Sequence, residues 1–324
     1  MVDFVPTLEE QQALEELDSI IQRKRRDDEQ ELVVDTLIHA LRQTPQVNAI
    51  KVISPNPFKH HLLRKVWDEY NMETYLSFQN HRGSRQLVDI LSAAKDAGLD
   101  VQHISHDQLT SYFFTGEVDL ISKGVYGYLN RLKSLELTII DRPLRFLSDP
   151  TASLRLRRII SASPELENIY IKFEALFPVP LDFLPNTEPL LTKLHTLLLS
   201  GIIMDTIRFF SFLEGRGHTL RRLSISSAEM AEGSGTWKEF LEEIRDKFGI
   251  LLEKFQLANV VRASVGGGET WMLLPIYNSD WTDYVYSSTS AFWSYNQTKN
   301  IESFVLRGGD WPMTSKDDIS SSLA

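Results

Sequence analysis

Cysteine is absent from all 324 positions, so disulfide crosslinks, thiolate metal sites and cysteine nucleophiles are excluded at once. Long apolar runs are missing too: no stretch approaches the roughly 18 to 20 consecutive apolar residues that a membrane span requires. Net positive charge is the third absence. With 34 lysines and arginines against 44 aspartates and glutamates, the chain carries a formal charge of −10, which in bulk repels nucleic-acid phosphates and anionic lipid. The opening "MVDFVPTLEEQQ" has neither the basic start nor the apolar core of a secretory leader. The expectation is a cytoplasmic or nuclear location, with no membrane partner and no general nucleic-acid binding.

What the chain does have is apolar residues in a recurring cadence. Hydrophobic residues make up 42% and charged residues 24% of the sequence, a balance that supports one large core or two ordinary ones rather than a disordered chain. "LTKLHTLLLS" sets leucines at 194, 197 and 199, and "LRRLSISS" repeats that L-x-x-L-x-L spacing from Leu220. The same spacing aligns Val47/Ile50/Val52, Val101/Ile104, Leu132/Leu135/Leu137, Leu166/Ile169/Ile171, Leu252/Phe255/Leu257 and Ile301/Phe304/Leu306. From Leu132 the first position recurs after 34, 28, 26 and 32 residues, somewhat longer than the about 20 to 29 of leucine-rich repeats. In an extended segment the last two apolar side chains share one face, and the residues between and around them point to the other.

Helical patterns lie between these runs. In "GTWKEFLEEIRDKFG", Thr236 and Glu239 have capping-box spacing, and Trp237, Phe240, Leu241, Ile244 and Phe248 share one face. Gly249 is expected to end that helix as a C-terminal cap. Val33, Val34, Leu37, Ile38 and Leu41 form a similar stripe, as do Leu87, Val88, Leu91 and Ala94, where Gly98 follows the last turn. Each unit therefore reads as a helix followed by a short strand. One unit cannot bury its apolar stripe alone, so neighbours must stack, with right-handed crossovers between parallel strands. The expected fold class is α/β: an irregular leucine-rich-repeat solenoid with parallel strands on the concave side and helices on the convex side.

Three regions break the rhythm. Residues 1–30 read as an N-terminal capping helix, with Thr7 and Glu10 in capping-box spacing and Leu14, Leu17 and Ile21 on one side. The solenoid is expected over 31–312, interrupted at about 262–300 by an aromatic insertion hinged at Gly266 to Gly268. Residues 313–324 are expected to be a disordered tail.

The stretch "LHTLLLSGIIMDTIRFFSFLEGRGHTLRRLSISSAEMAEGSGTWKEFLEEI", the glycine-rich break after it and the closing "NIESFVLRGGDWP" together resemble the receptor half of ascomycete F-box leucine-rich-repeat proteins. The resemblance covers roughly residues 125 to 312. It implies a substrate receptor whose repeats present a protein for ubiquitin transfer, with the adaptor of a cullin-RING ubiquitin ligase as a second partner. An F-box opens with a Leu-Pro-x-Glu-type start ahead of two short apolar helices. This chain offers Val5-Pro6 and one charged helix there, so the F-box itself is not detected.

Candidate chemistry elsewhere has bland counterparts. His103, His106 and Asp107 suggest a metal cluster, yet in an extended segment His106 faces away from the other two. "VGGGET" lacks the lysine and hydroxyl residue of a phosphate loop, and Gly233-Ser234-Gly235 is the loop ahead of the Thr236 cap rather than a nucleophile elbow. Glu242, Glu243, Asp27 and Asp28 read as solvated surface. The basic run at 23–26 is read either as a nuclear import signal or as a salt-bridged helix end beside "DDE".

The outward positions of the presumed strands are where the sequence points to function. Their charged members are Lys51, Lys172, Arg222, Lys254 and Arg307 against Glu136, with Tyr170 and Gln256 on the same face. That bias favours an acidic protein partner. The expected function is a non-enzymatic protein-recognition module, an F-box-like receptor or scaffold, with no catalytic residue, metal or cofactor. The alternative is a hydrolase or other enzyme whose site lies in the aromatic insertion at 266–300, lined by Trp271, Tyr277, Trp281, Tyr284, Tyr286 and Trp293.

Overall fold

The computed structural model describes residues 32–53, 86–115, 125–141, 145–175, 177–185, 191–214, 216, 218–262, 270–273, 292–293 and 295–312. Within them the fold class is α/β. Ten strands form one open sheet: β1 (Ala49–Val52), β2 (His103–Thr110), β3 (Ser134–Asp141), β4 (Asn168–Ala175), β5 (Val179–Pro180), β6 (Thr196–Met204), β7 (Arg222–Met230), β8 (Lys254–Arg262), β9 (Thr270–Leu273) and β10 (Phe292–Trp293). Neighbours follow chain order, with β5 set to one side on β6. Pairing is parallel from β1 through β8; β9 then runs antiparallel to β8 over 259–262, and β10 parallel to β9.

The apolar cadence coincides with the sheet register. Ile50, Ile104, Leu135, Ile169, Leu197, Leu223 and Phe255 are successive cross-strand partners, and all are buried. Two residues on, Val52, His106, Leu137, Ile171, Leu199, Ile225 and Leu257 form a second column. The leading residues Val101, Leu132, Leu166, Leu194, Leu220 and Leu252 are buried ahead of their strands. A backbone junction recurs at the strand starts. The Gln102 carbonyl accepts N–H groups from Lys133 and Ser134, and the equivalent carbonyls of Lys133, Glu167, His195 and Arg221 each accept two from the strand that follows, at 2.7–3.1 Å. These bonds fix the register, and a one-residue slip would turn every apolar column outward.

Helices cover one face of the sheet. The longer ones are α1 (Leu32–Arg42), α2 (86–96), α3 (Pro150–Ser161), α4 (Thr206–Glu214), α5 (Trp237–Phe248) and α6 (Tyr295–Arg307). Asp149 caps α3 by accepting from the Thr151 N–H at 2.9 Å, with Pro150 at the first position, where its missing donor costs nothing. The capping box on α5 is formed as its sequence predicts: Glu239 N–H donates to the Thr236 hydroxyl at 3.2 Å, and the Thr236 N–H to the Glu239 carboxylate at 2.8 Å. The Thr236 N–H, and secondarily the Thr236 hydroxyl, donate to the Glu239 carboxylate and hold it below its usual value.

The buried faces of α3, α4 and α5 join the strand columns in one core. Aromatic rings bind its parts together. Phe113, Phe114, Phe146, Phe173 and Phe183 form a chain with centroids 5.0–5.4 Å apart, and Phe209, Phe210, Trp237 and Phe240 cluster between α4 and α5. Arg157 of α3 donates through Nε to the Asp182 carbonyl at 2.8 Å, while Arg208 of α4 pairs with the Asp182 carboxylate. One acidic residue thereby clamps two helices. Burial, and secondarily Arg157, lower the Arg208 pKa.

One expectation is corrected. Ile301, Phe304 and Leu306 do not form a strand, because they lie in α6. Thr298, Ile301, Phe304 and Val305 are the buried residues there, a spacing of three and four that suits a helix and not the two-residue alternation of a strand. Gly249 ends α5 as its C-cap, as expected, with its N–H donating to the Arg245 carbonyl and a φ of −54°. It is needed for space, since a Cβ there would sit 2.4 Å from the Val305 carbonyl of α6. Gly98, by contrast, is left-handed at φ +73° after α2. The capping helix expected over 1–30, the hinge at 266–268 and the tail at 313–324 lie outside the described residues. Among the described residues no helix is long and apolar enough to cross a membrane.

A bend recurs two residues beyond the second column. Gly201, Ser227 and Asn259 have φ of +74°, +48° and +62° in three successive strands. At Gly201 a Cβ would lie 2.4 Å from the Phe173 carbonyl, so β6 departs from β4 after the Lys172/Ser200 pair and takes β5 as its neighbour. Leu197→Ala or Leu223→Ala should each cost about 2 to 5 kcal/mol in urea unfolding, from lost transfer energy plus the cavity. Gly201→Ala should cost about 1 to 3 kcal/mol, because it adds both a strained φ and a backbone clash.

Candidate partner-binding face

Among the described residues no helix covers the second face of the sheet, whose residues alternate in exposure. In β4 and β6 the inward residues are buried, while Asn168, Tyr170, Lys172, Thr196 and Leu198 remain half-exposed. The register then sorts the sequence-selected residues into rows that cross the strands. Lys51, Ser105, Glu136, Tyr170, Leu198, Ser224 and Gln256 are successive partners. The next row toward the strand starts is His103, Ser134, Asn168, Thr196, Arg222 and Lys254. On the opposite side, Thr138, Lys172, Ser200, Ser226 and Ala258 make a third. Seven of the eight selected residues, all but Arg307, therefore share one surface.

Arg307 does not. It occupies the last turn of α6, where a basic side chain complements the helix C-terminus, and it leaves the set of sheet-face residues for the reason given above. The charge balance also differs from the sequence expectation. Lys172 pairs with Glu174 at 2.7 Å, and Glu229 faces Arg262 across β7 and β8. The cadence did not mark Glu174, Glu229 and Arg262 because it stops short of the strand ends. In β4 the alternation simply continues through buried Phe173, which was the available signal. Ile140 and Ile203 are half-exposed on their strands beyond the third row.

Arg222 and Lys254 remain adjacent in register, exposed and without an ion pair among the described residues. Their same-face neighbours are uncharged: Thr196 beside Arg222, and Ser224 and Gln256 one step up the strands. Tyr170 and Leu198 are likewise cross-strand partners. The face thus has an apolar centre with two adjacent cations to one side of it.

The other motifs resolve into local structure. His103 is exposed, while His106 is buried in the second column with its Nδ1 accepting from the Gln108 N–H at 3.2 Å. Gly233 and Gly235 take left-handed φ around Ser234, whose carbonyl accepts from the Thr206 hydroxyl at 3.0 Å. Glu243 pairs with Lys247 at 2.6 Å, and Glu242 lies 3.9 Å from Lys238. Trp271 and Trp293 belong to β9 and β10; Tyr277, Trp281, Tyr284, Tyr286, Asp27, Asp28 and the 23–26 basic run lie outside the described residues.

Exposed side chains without an ion pair among the described residues contribute little to folding. Lys51→Ala, Arg222→Ala and Lys254→Ala should each shift the unfolding free energy by less than about 0.5 kcal/mol, which denaturant titration would check. Comparisons of the chain with protein-family models, with curated proteins and with solved structures gave no match.

Proposed function

We propose that the chain is a non-enzymatic protein-recognition module, an irregular leucine-rich-repeat solenoid that captures an acidic protein partner on a concave, strand-lined face. The observation that carries this reading is the set of side chains on the sheet face that no described helix covers. Seven in-register strands from β1 to β8, leaving β5 aside, place polar, cationic and aromatic side chains on one surface. Continuous backbone pairing makes such a surface rigid, so partner binding loses little ordering entropy. Tyr170, at the centre, is of a type enriched among residues that dominate binding energy.

The bias toward an acidic partner rests on Lys51, Arg222 and Lys254, now that Lys172 is paired and Arg307 is elsewhere. An F-box-like receptor and a scaffold without an F-box both fit such a module. Co-purification with a cullin-ligase adaptor separates them.

The test is recovery of partners by the full chain and by a Lys172→Glu/Arg222→Glu/Lys254→Glu variant. Loss of the recovered partner, with the circular dichroism spectrum unchanged, is the expected result. Equal recovery by both proteins would remove the reading of the face as an acidic-partner surface.

A further inference from the structure

The face left open by the described helices has an internal arrangement that narrows its ligand further, and the inference rests on the recognition reading above. Arg222 and Lys254 are directly opposite one another on paired strands, about 4.8 Å apart in backbone spacing. Like charges in that position destabilise a sheet. Among the described residues no carboxylate is paired with either one, whereas Lys172 a few strands away has Glu174 at 2.7 Å. No described group neutralises this pair of cations, and a bound anion would do so.

The second observation is the apolar pair. Tyr170 and Leu198 are cross-strand partners on the same face, half-exposed, with uncharged Ser224 and Gln256 continuing their row. Arg222 lies one strand over from Leu198 and two residues back along the strand; Lys254 lies two strands over. With strands about 4.8 Å apart and a rise of about 3.3 Å per residue, the two cations lie roughly 8 Å and roughly 12 Å from Leu198. An extended chain presents alternate side chains to one side, about 6.6 Å apart. Successive same-side positions of a ligand, about 6.6 Å and about 13 Å from the first, then fall within about 2 Å of Arg222 and Lys254 as measured from Leu198, a difference that long side chains absorb.

We propose that the face binds an extended peptide segment laid across the strands, with a large apolar side chain on Tyr170 and Leu198 and carboxylates at the second and fourth residues from it meeting Arg222 and Lys254. Either chain direction satisfies the spacing. The serine and glutamine side chains around the cations supply hydrogen-bond partners for the segment's backbone without competing charge.

The probe is a fluorescently labelled Gly/Ser peptide carrying one leucine with glutamates two and four residues after it, together with its reversed sequence, titrated against the full chain by anisotropy. Three controls accompany it: glutamates moved to one and three residues after the leucine, leucine replaced by serine, and a poly-thymidine strand as competitor. The expected result is that at least one in-phase probe binds, and that Arg222→Glu/Lys254→Glu weakens it about tenfold or more. Leu198→Ser and the leucine-free probe should each weaken it about fivefold, the out-of-phase probe should be similarly weak, and Lys51→Glu should leave binding unchanged.

Absence of binding by either in-phase probe overturns the proposal, as does equal binding of in-phase and out-of-phase probes. An effect of Lys51→Glu as large as that of the paired variant, or equal competition by the oligonucleotide, reduces the interaction to bulk charge attraction and overturns it as well. Recovery of partners by Tyr170→Ala/Leu198→Ser then tells the two levels apart. If that recovery is lost while the probes fail, the recognition reading stands and only this ligand pattern falls; if partners are recovered unchanged, both fall.

Discussion

Everything in this fold depends on the parallel register that brings the second cadence position of each strand opposite its equivalent in the next. A period-two side-chain pattern has only two settings, and one of them buries Ile104, Leu135, Ile169, Leu197, Leu223 and Phe255 together. At about 1.5 to 3 kcal/mol for a fully buried aliphatic or aromatic side chain, the two columns outweigh the local irregularities of individual strands. The repeated backbone junctions at Gln102, Lys133, Glu167, His195 and Arg221 add directional bonds that accept no other offset. The outward rows are a by-product of that choice. Once the inward columns are fixed, Tyr170 must neighbour Leu198 and Arg222 must neighbour Lys254.

The same constraint explains how much could be read before any coordinates. The L-x-x-L-x-L spacing is a direct image of the strand and its lead-in, so seven of the eight alignments fall where the strands are, and α5 was legible from its cap and stripe. Ile301, Phe304 and Leu306 were misread because that set satisfies a strand template while Thr298, Ile301 and Val305 satisfy a helical one, and periodicity over so short a run does not choose between them. The deciding influence is tertiary: α6 packs against β8 and α5, with Arg245 over the Phe304 ring at 4.7 Å.

The candidate face was legible in its rows and not in its charge. Lys51, Glu136, Tyr170 and Gln256 belong to one row because the cadence fixes the register, and that much follows from counting residues. Pairing of Lys172 with Glu174 depends on rotamers and strand length, which the cadence does not encode. The left-handed residues after the second column show the same limit. Glycine at 201 and asparagine at 259 are types that tolerate positive φ, whereas Ser227 gives no such sign.

Because neighbours in the sheet are also neighbours in the chain, most cross-strand contacts join segments a few tens of residues apart. Loss of order at one end then need not propagate to the other, in contrast to a globule whose first and last strands meet. The Asp182 clamp and the phenylalanine chain through Phe183 sit midway along the array, where both flanks depend on them. Fraying should accordingly begin at the margins of the sheet and stop before it reaches the middle, leaving the apolar centre at Tyr170 and Leu198 the most enduring part of the exposed surface.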